Sequence, residues 1–243
     1  MVSFDLSQFW LRNNSGPVIE TVSATSRFIM GADLGQSSDP TAMCVLHHTV
    51  TPLDEWDHEI GGEVKPKRSR QRSRVHYDVR YLSRIPLGTP YPQIVQQVGD
   101  LLARPPLNEG CELVVDETGV GRAVADIFDS AGLAPTRVTI TAGNETTRQG
   151  ERRWHVPKSL LISTVDAMLH TGALRFSPDL TDAGALAEEL KDFRRKVSEA
   201  GRSTYNARTG KHDDLILSIA IALWRATTPR GASGGQVEAS GLV

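Results

Sequence analysis

The segment "HDDLILSIAIALWRA" (212–226) constrains the fold of this chain more than any other stretch. It holds no glycine or proline, is too long for an ordinary strand, and stops before Pro229. A helix that is apolar on most of its sides must be covered on most of its sides. It therefore belongs between layers of a larger structure. It is too short to cross a bilayer, and no apolar run elsewhere in the chain approaches the length required. Yet this helix opens on Asp213 and Asp214. Two successive carboxylates can cap a helix and complement its dipole, or they can carry chemistry.

The rest of the chain supplies the layers. "RFIMGADLG" (27–35), "TAMCVLHHTV" (41–50) and "RVHYDVRYLSRIPL" (74–87) have strand character, the last with Val75, Tyr77, Val79 and Tyr81 alternating. "YPQIVQQVGDLLAR" (91–104) has the period of a helix, with Pro92 in its first turn. "CELVVDE" (111–117) and "TRVTITAG" (136–143) read as short buried strands on either side of a helix closed by Gly132. "VPKSLLISTVDAMLHTG" (156–172) predicts a helix opened by Pro157 and closed by Gly172. A short "ALRF" strand and a helix over about 182–192 follow, and "FRRKVSEAGRSTYNA" predicts a hairpin turning at Ala200 and Gly201. Leading strands joined by short loops, then strands separated by helices, predict a mixed α/β sheet with helices on both faces.

On that frame two apolar strands end in acid: Asp33 closes "RFIMGAD" and Asp116 closes "ELVVD". The carboxyl ends of strands are where open α/β sheets place their ligands. Clustered carboxylates repel one another and call for a hard divalent cation such as Mg²⁺ or Mn²⁺. Zinc-type His/Cys spacing is absent, and "GVGRAVAD" lacks the Lys-Ser/Thr ending of a phosphate loop. Cys44 and Cys111 sit in apolar strands and read as small core residues.

"GADLGQSSDPTA", "LVVDETGVG" and "KHDDLILSIAIALW", in this order, resemble the ribonuclease H-like nuclease domain of tailed-phage large terminases over about residues 27–227. The resemblance implies a five-stranded sheet of order 3-2-1-4-5 with a β-hairpin added before the last helix. It implies two metal ions, Mg²⁺ or Mn²⁺, bridged by Asp33 with Asp116 as a second ligand and a third carboxylate from the last helix. Asp213 and Asp214 diverge by about 100° around that helix; Asp214 is favoured because it shares a polar stripe with Ser218 and Arg225. Asp39 matches an acidic position in the family's first loop and would assist the second metal.

The implied activity is metal-dependent endonucleolytic cleavage of double-stranded DNA during viral genome packaging, in the cytoplasm of an infected bacterial host. The implied partners are a terminase ATPase domain, a small terminase subunit and a portal. No ATPase signature occurs in this chain, which reads as an excised nuclease domain or a separate product. Residues 1–26 form a lead segment, 27–228 the nuclease domain, and 229–243 a disordered tail.

Net charge is only −2, but the basic residues are grouped. "KPKRSRQRSR" (65–74) has six Lys/Arg and no acid. Arg68, Arg70, Arg72, Arg74, Arg194, Arg195, Lys196 and Lys211 are candidates for contacts with the DNA backbone. Two rival readings share features of the chain. A junction-resolving nuclease would use a similar fold as a dimer. An actin- or sugar-kinase-like ATP-binding domain would use "DLG…T" and "DETGVG" as phosphate loops.

Overall fold

Long strands dominate the first third of the chain, and helices alternate with short strands after it. The computed structural model describes residues 18–35, 39–59, 68–119, 121–199 and 212–228. The strands are β1 (Val18–Glu20), β2 (Thr25–Asp33), β3 (Thr41–Glu59), β4 (Arg68–Ile85), β5 (Cys111–Asp116), β6 (Thr136–Thr141), β7 (Thr147–Arg148), β8 (Arg153–Pro157) and β9 (Leu174–Phe176). The helices are α1 (Tyr91–Leu102), α2 (Gly121–Ser130), α3 (Lys158–His170), α4 (Ala183–Glu199) and α5 (Asp214–Thr227).

These strands form one sheet of order β1-β4-β3-β2-β5-β6-β8-β7, with β9 paired to β4. Its centre, β4-β3-β2-β5-β6, has the 3-2-1-4-5 order expected from the sequence. From β2 outward the sheet is parallel through β5, β6 and β8, and β7 closes it antiparallel. The chain divides into two compact units, Met1–Ser26 with Thr49–Val75, and Arg27–His48 with His76–Val243. The first holds β1 and the distal halves of β3 and β4, a ribbon pinned by Gln71 Nε2 donating to the Leu53 carbonyl at 2.9 Å and by β1 pairing with Arg68–Arg70. The second holds the helices and the remaining strands.

Alternation along the strands decides what faces what in the second unit. Met30, Ala32 and Leu34 join Leu113 and Val115 in a cluster with Ile94, Val95, Val98, Val124 and Phe128, so this face of the sheet packs on α1 and α2. The intervening residues, Ile29, Gly31 and Asp33 on β2 and Glu112, Val114 and Asp116 on β5, point to the opposite face. There α5 lies with Leu215 to Trp224 entirely buried, packed on β5, α3 and α4. Its approach is so close that a Cβ on Gly31 would stand 2.0 Å from the Ser218 carbonyl oxygen. Only glycine admits this contact. Cys44 donates its thiol to the same carbonyl at 3.2 Å, and burial pushes the thiols of Cys44 and Cys111 up to about 12.

Two expectations change. Phe193–Glu199, read as the first arm of a hairpin, continues α4 to its end at Glu199. The rest of that segment, 200–211, lies outside the described residues, as do 1–17 and the tail 229–243. Secondly, β3 and β4 are 19 and 18 residues long and run well beyond 41–50 and 74–87. Their distal halves bury little, so no apolar period marks them. The strands β7 and β8 escape for a similar reason: they lie in a basic stretch that gives no such period.

Candidate metal centre at the sheet edge

Asp33 and Asp116 are Cα partners on the last rung of the parallel β2–β5 ladder. Adjacent strands lie about 4.8 Å apart, and paired residues project to the same side. Both carboxylates therefore leave the sheet together, on the face covered by α5. Asp116 is buried, and its Oδ1 accepts from the Thr118 backbone N–H at 2.8 Å and from the Thr118 hydroxyl. The Ile140 N–H in turn donates to that hydroxyl oxygen at 2.7 Å. The turn after β5 thus fixes one oxygen of Asp116 and leaves Oδ2 for a ligand.

The start of α5 completes the cluster. Asp213 occupies the N-cap position, yet its side chain makes no capping hydrogen bond. Its Oδ2 instead accepts from the Lys158 ammonium at 2.8 Å. A capping role therefore does not account for this residue. Asp214, one step on, is turned inward. Its Oδ2 accepts from Arg84 Nε at 2.7 Å and its Oδ1 from Arg84 Nη2 at 3.1 Å, a two-point clasp. Arg84 also bonds Glu189 of α4, whose Oε2 accepts from the Ile216 backbone N–H at 3.1 Å.

The electrostatics record the crowding. Burial, then the charges of Asp116, Asp213 and Asp214, push the Asp33 carboxyl well above its usual range, while Lys158 acts the other way. Burial also raises Asp116, against the bonds from Thr118 and the charge of Lys158. Burial and then Asp214 push Glu189 up to about 8. Neighbouring Glu117 is matched by Arg153, 2.9 Å from its Oε1. Among the described residues these four aspartates converge on two cations, Lys158 and Arg84, which leaves negative charge over. The donors are all hard oxygens, a set suited to Mg²⁺ or Mn²⁺. Among the described residues no three acidic, His or Cys side chains are grouped closely enough to hold a metal ion.

Of the residues singled out in the sequence, Asp33, Asp116, Asp213 and Asp214 come together. Asp39 is exposed at the rim, its Oδ1 3.7 Å from His212 Nδ1, which lies 4.0 Å from Asp214 Oδ1. The polar stripe that favoured Asp214 does not lead to the cluster: the Ser218 hydroxyl donates to the Leu215 carbonyl of its own helix, and Arg225 pairs with Glu112. Arg68, Arg70, Arg72 and Arg74 share one face of distal β4 in the ribbon unit, where Glu20, Glu55 and Asp57 pair with Arg70 and Arg72. Arg194, Arg195 and Lys196 belong to the end of α4, and their side chains, like Lys211, lie outside the described residues.

Lys158, Arg84 and Glu189 were not found from sequence. Lys158 follows a strand's C-terminal end, as the aspartates do, and a reading of β8 would have exposed it. Arg84 and Glu189 carry no such signal.

The arrangement defines a carboxylate-centred α/β domain with its acids gathered at the C-terminal ends of two central parallel strands. No family model matches the chain. The large terminase subunits of Thermus phage G20c and Thermus virus P23-45 are each 26% identical to it over 110 residues, 45% of this chain and 19% of theirs. Among solved structures, the large terminase nuclease of phage G20c with bound magnesium is 19% identical, with a TM-score of 0.49 over 85% of each chain. The human cytomegalovirus terminase nuclease domain, soaked with manganese, is 11% identical, with a TM-score of 0.44 over 82% of this chain and 81% of that one. Sequence similarity thus relates the chain to phage large terminase subunits, the family that its motifs resemble. The matched stretch spans about a fifth of those relatives' length.

Proposed function

We propose that this chain is a terminase-type nuclease that hydrolyses phosphodiester bonds of double-stranded DNA using Mg²⁺ or Mn²⁺, in the packaging of a phage genome inside an infected bacterium. The observation that carries this reading is the rung-paired Asp33 and Asp116, facing the Asp pair of α5 with fewer cations than carboxylates around them. Asp33, Asp116 and Asp213 are the ligands this geometry favours. Asp213 replaces Asp214 in that role because Arg84 engages both oxygens of Asp214. Asp214 then serves as the anchor that fixes the start of α5. Asp39, exposed at the rim beside His212, is assigned to assist a second ion.

When bound, a pair of such ions supplies a nucleophilic hydroxide near neutral pH and neutralises charge on the phosphate. The chain's own contribution is to hold the carboxylates together and in register. The β2–β5 ladder sets Asp33 against Asp116, Thr118 orients Asp116, and the Arg84–Glu189 pair locks the helix that presents Asp213. The basic residues of β4 and of the end of α4 are assigned to the DNA backbone, without base reading. A terminase ATPase domain, a small subunit and a portal are the partners this reading implies.

The test is cleavage of supercoiled plasmid with Mn²⁺ or Mg²⁺, with EDTA and Asp33→Asn as controls. Nicking and linearisation that need the metal and vanish in the variant support the proposal. Cleavage that survives EDTA or Asp33→Asn would overturn it, as would a wild-type chain that binds neither metal.

A further inference from the structure

Lys158 sits inside an acid cluster, and the reaction proposed above does not use it. It is the first residue of α3, directly after β8 ends at Pro157, and β8 is joined through β6 to β5. Its backbone is therefore tied to the same sheet that carries Asp33 and Asp116. Its ammonium bonds Asp213 at 2.8 Å, and its charge is felt at both Asp33 and Asp116. One cation thus serves three carboxylates.

The other cation of the site differs. Arg84 meets Asp214 through two bonds, and the two side chains are 26% and 5% exposed. Lys158 meets Asp213 through one, and the two side chains are 26% and 30% exposed. A single contact to a carboxylate open to water can exchange; a two-point clasp on a buried carboxylate cannot without leaving that charge unpaired.

We infer that Lys158 is a tethered counter-cation of the acid cluster, holding Asp213 until a divalent ion takes that carboxylate, and thereby setting how tightly the site binds metal. The inference rests on reading the cluster as a metal centre. An ammonium and a divalent ion drawn to the same oxygens repel each other, and the lysine cannot diffuse away because its stem is anchored in α3. Removing its charge leaves the aspartates with more unbalanced negative charge and frees Asp213 Oδ2.

The experiment is calorimetric titration of the full chain with MnCl₂, comparing wild type with Lys158→Met, Lys158→Gln and Lys158→Arg. The two neutral variants should bind Mn²⁺ about tenfold more tightly, and Lys158→Arg should bind as wild type does. Mn²⁺ should also raise the melting temperature of the neutral variants by more than it raises that of wild type. Wild-type binding with equal or weaker affinity in both neutral variants would overturn this inference and leave the metal centre standing. A wild-type chain that takes up no Mn²⁺ would overturn the metal centre itself. Should neither neutral variant fold, as judged by circular dichroism, Lys158 would be a structural brace and the inference would fall.

Discussion

The two ends of β5 carry the same chemistry and put it to different uses. Glu112 near the start and Asp116 at the end lie on one face of the strand, four residues apart in sequence, and α5 runs over both. At the first end the acid is closed: Arg225 in the last turn of α5 pairs with Glu112. At the second, the helix brings acids instead of a base, and among the described residues Asp116 receives a turn threonine and the field of Lys158.

The closed end also has a cavity of about 590 Å³, lined by Arg148, Arg152 and Trp154 among others. Its arginines are engaged: Arg148 donates to the Gly150 and Glu151 carbonyls and lies over the Trp154 ring, and Arg152 is 4.0 Å from Asp129. Under the proposed function, unbalanced charge and not empty volume marks the end that carries the chemistry.

The comparison is broken most directly by neutralising each acid. Asp116→Asn should lower metal-dependent cleavage by about a thousandfold while leaving the thermal stability of the metal-free chain unchanged or raised, because it relieves repulsion. Glu112→Gln should do the reverse, costing about 2 kcal/mol by leaving Arg225 without its anion and sparing cleavage per folded molecule. Plasmid cleavage and denaturant melts on both variants decide the matter; a stability loss in Asp116→Asn equal to that of Glu112→Gln would erase the distinction.

Gly31→Ala attacks the packing that joins the ends. Its new Cβ meets the Ser218 carbonyl at 2.0 Å, so α5 must move off β2, at a cost of about 3 kcal/mol. Mn²⁺ affinity should fall with it, since Asp213 moves with the helix. Urea unfolding and Mn²⁺ titration of the variant would check both.

A gentler probe is pH. Glu189 is held at about 8 against an ordinary value of 4.5, and Asp33 and Asp116 are shifted in the same direction. A carboxyl raised on folding binds its proton more tightly in the native state. The stability it contributes is complete below its unfolded value and is lost as pH rises through its folded one. The metal-free chain should therefore melt lower as pH is raised from about 6 to about 9, and saturating Mn²⁺ should shrink that slope. A melting temperature independent of pH would contradict the crowding at the acid end.

The smallest effect is expected in the ribbon unit. Arg72→Ala breaks exposed pairs with Glu55 and Asp57 and should change stability by less than about 0.5 kcal/mol. DNA affinity should weaken, with the salt slope reduced by about one, as read by fluorescence anisotropy at several salt concentrations.

Much of this site was legible because its signals are local. An apolar strand that ends in Asp, and an apolar helix that begins with two, can be recognised from a few consecutive residues: burial of carboxylates is costly and calls for a reason. The order of strands and helices is likewise written in period and punctuation. Gly132 and Gly172 close their helices with φ of +73° and +70°, as their places after an apolar stripe predict. The long ribbon halves of β3 and β4 were not legible, because cross-strand pairs hold them and little of their surface is buried.

The sequence by itself determined the helices and the central strands, their order, and which aspartates stand at the ends of β2, β5 and the start of α5. The tertiary structure alone decided which partner each of them meets. Asp213 and Asp214 are indistinguishable as letters, and the polar stripe of Ser218 and Arg225 leads away from both of them. Arg84 lies 130 residues from Asp214 in the chain, and Lys158 lies 55 from Asp213. Ion pairs act through space at a few ångströms and leave no periodicity along the chain, so only the folded packing of α3, α4 and α5 on the sheet shows that Asp214 meets Arg84 and Asp213 meets Lys158.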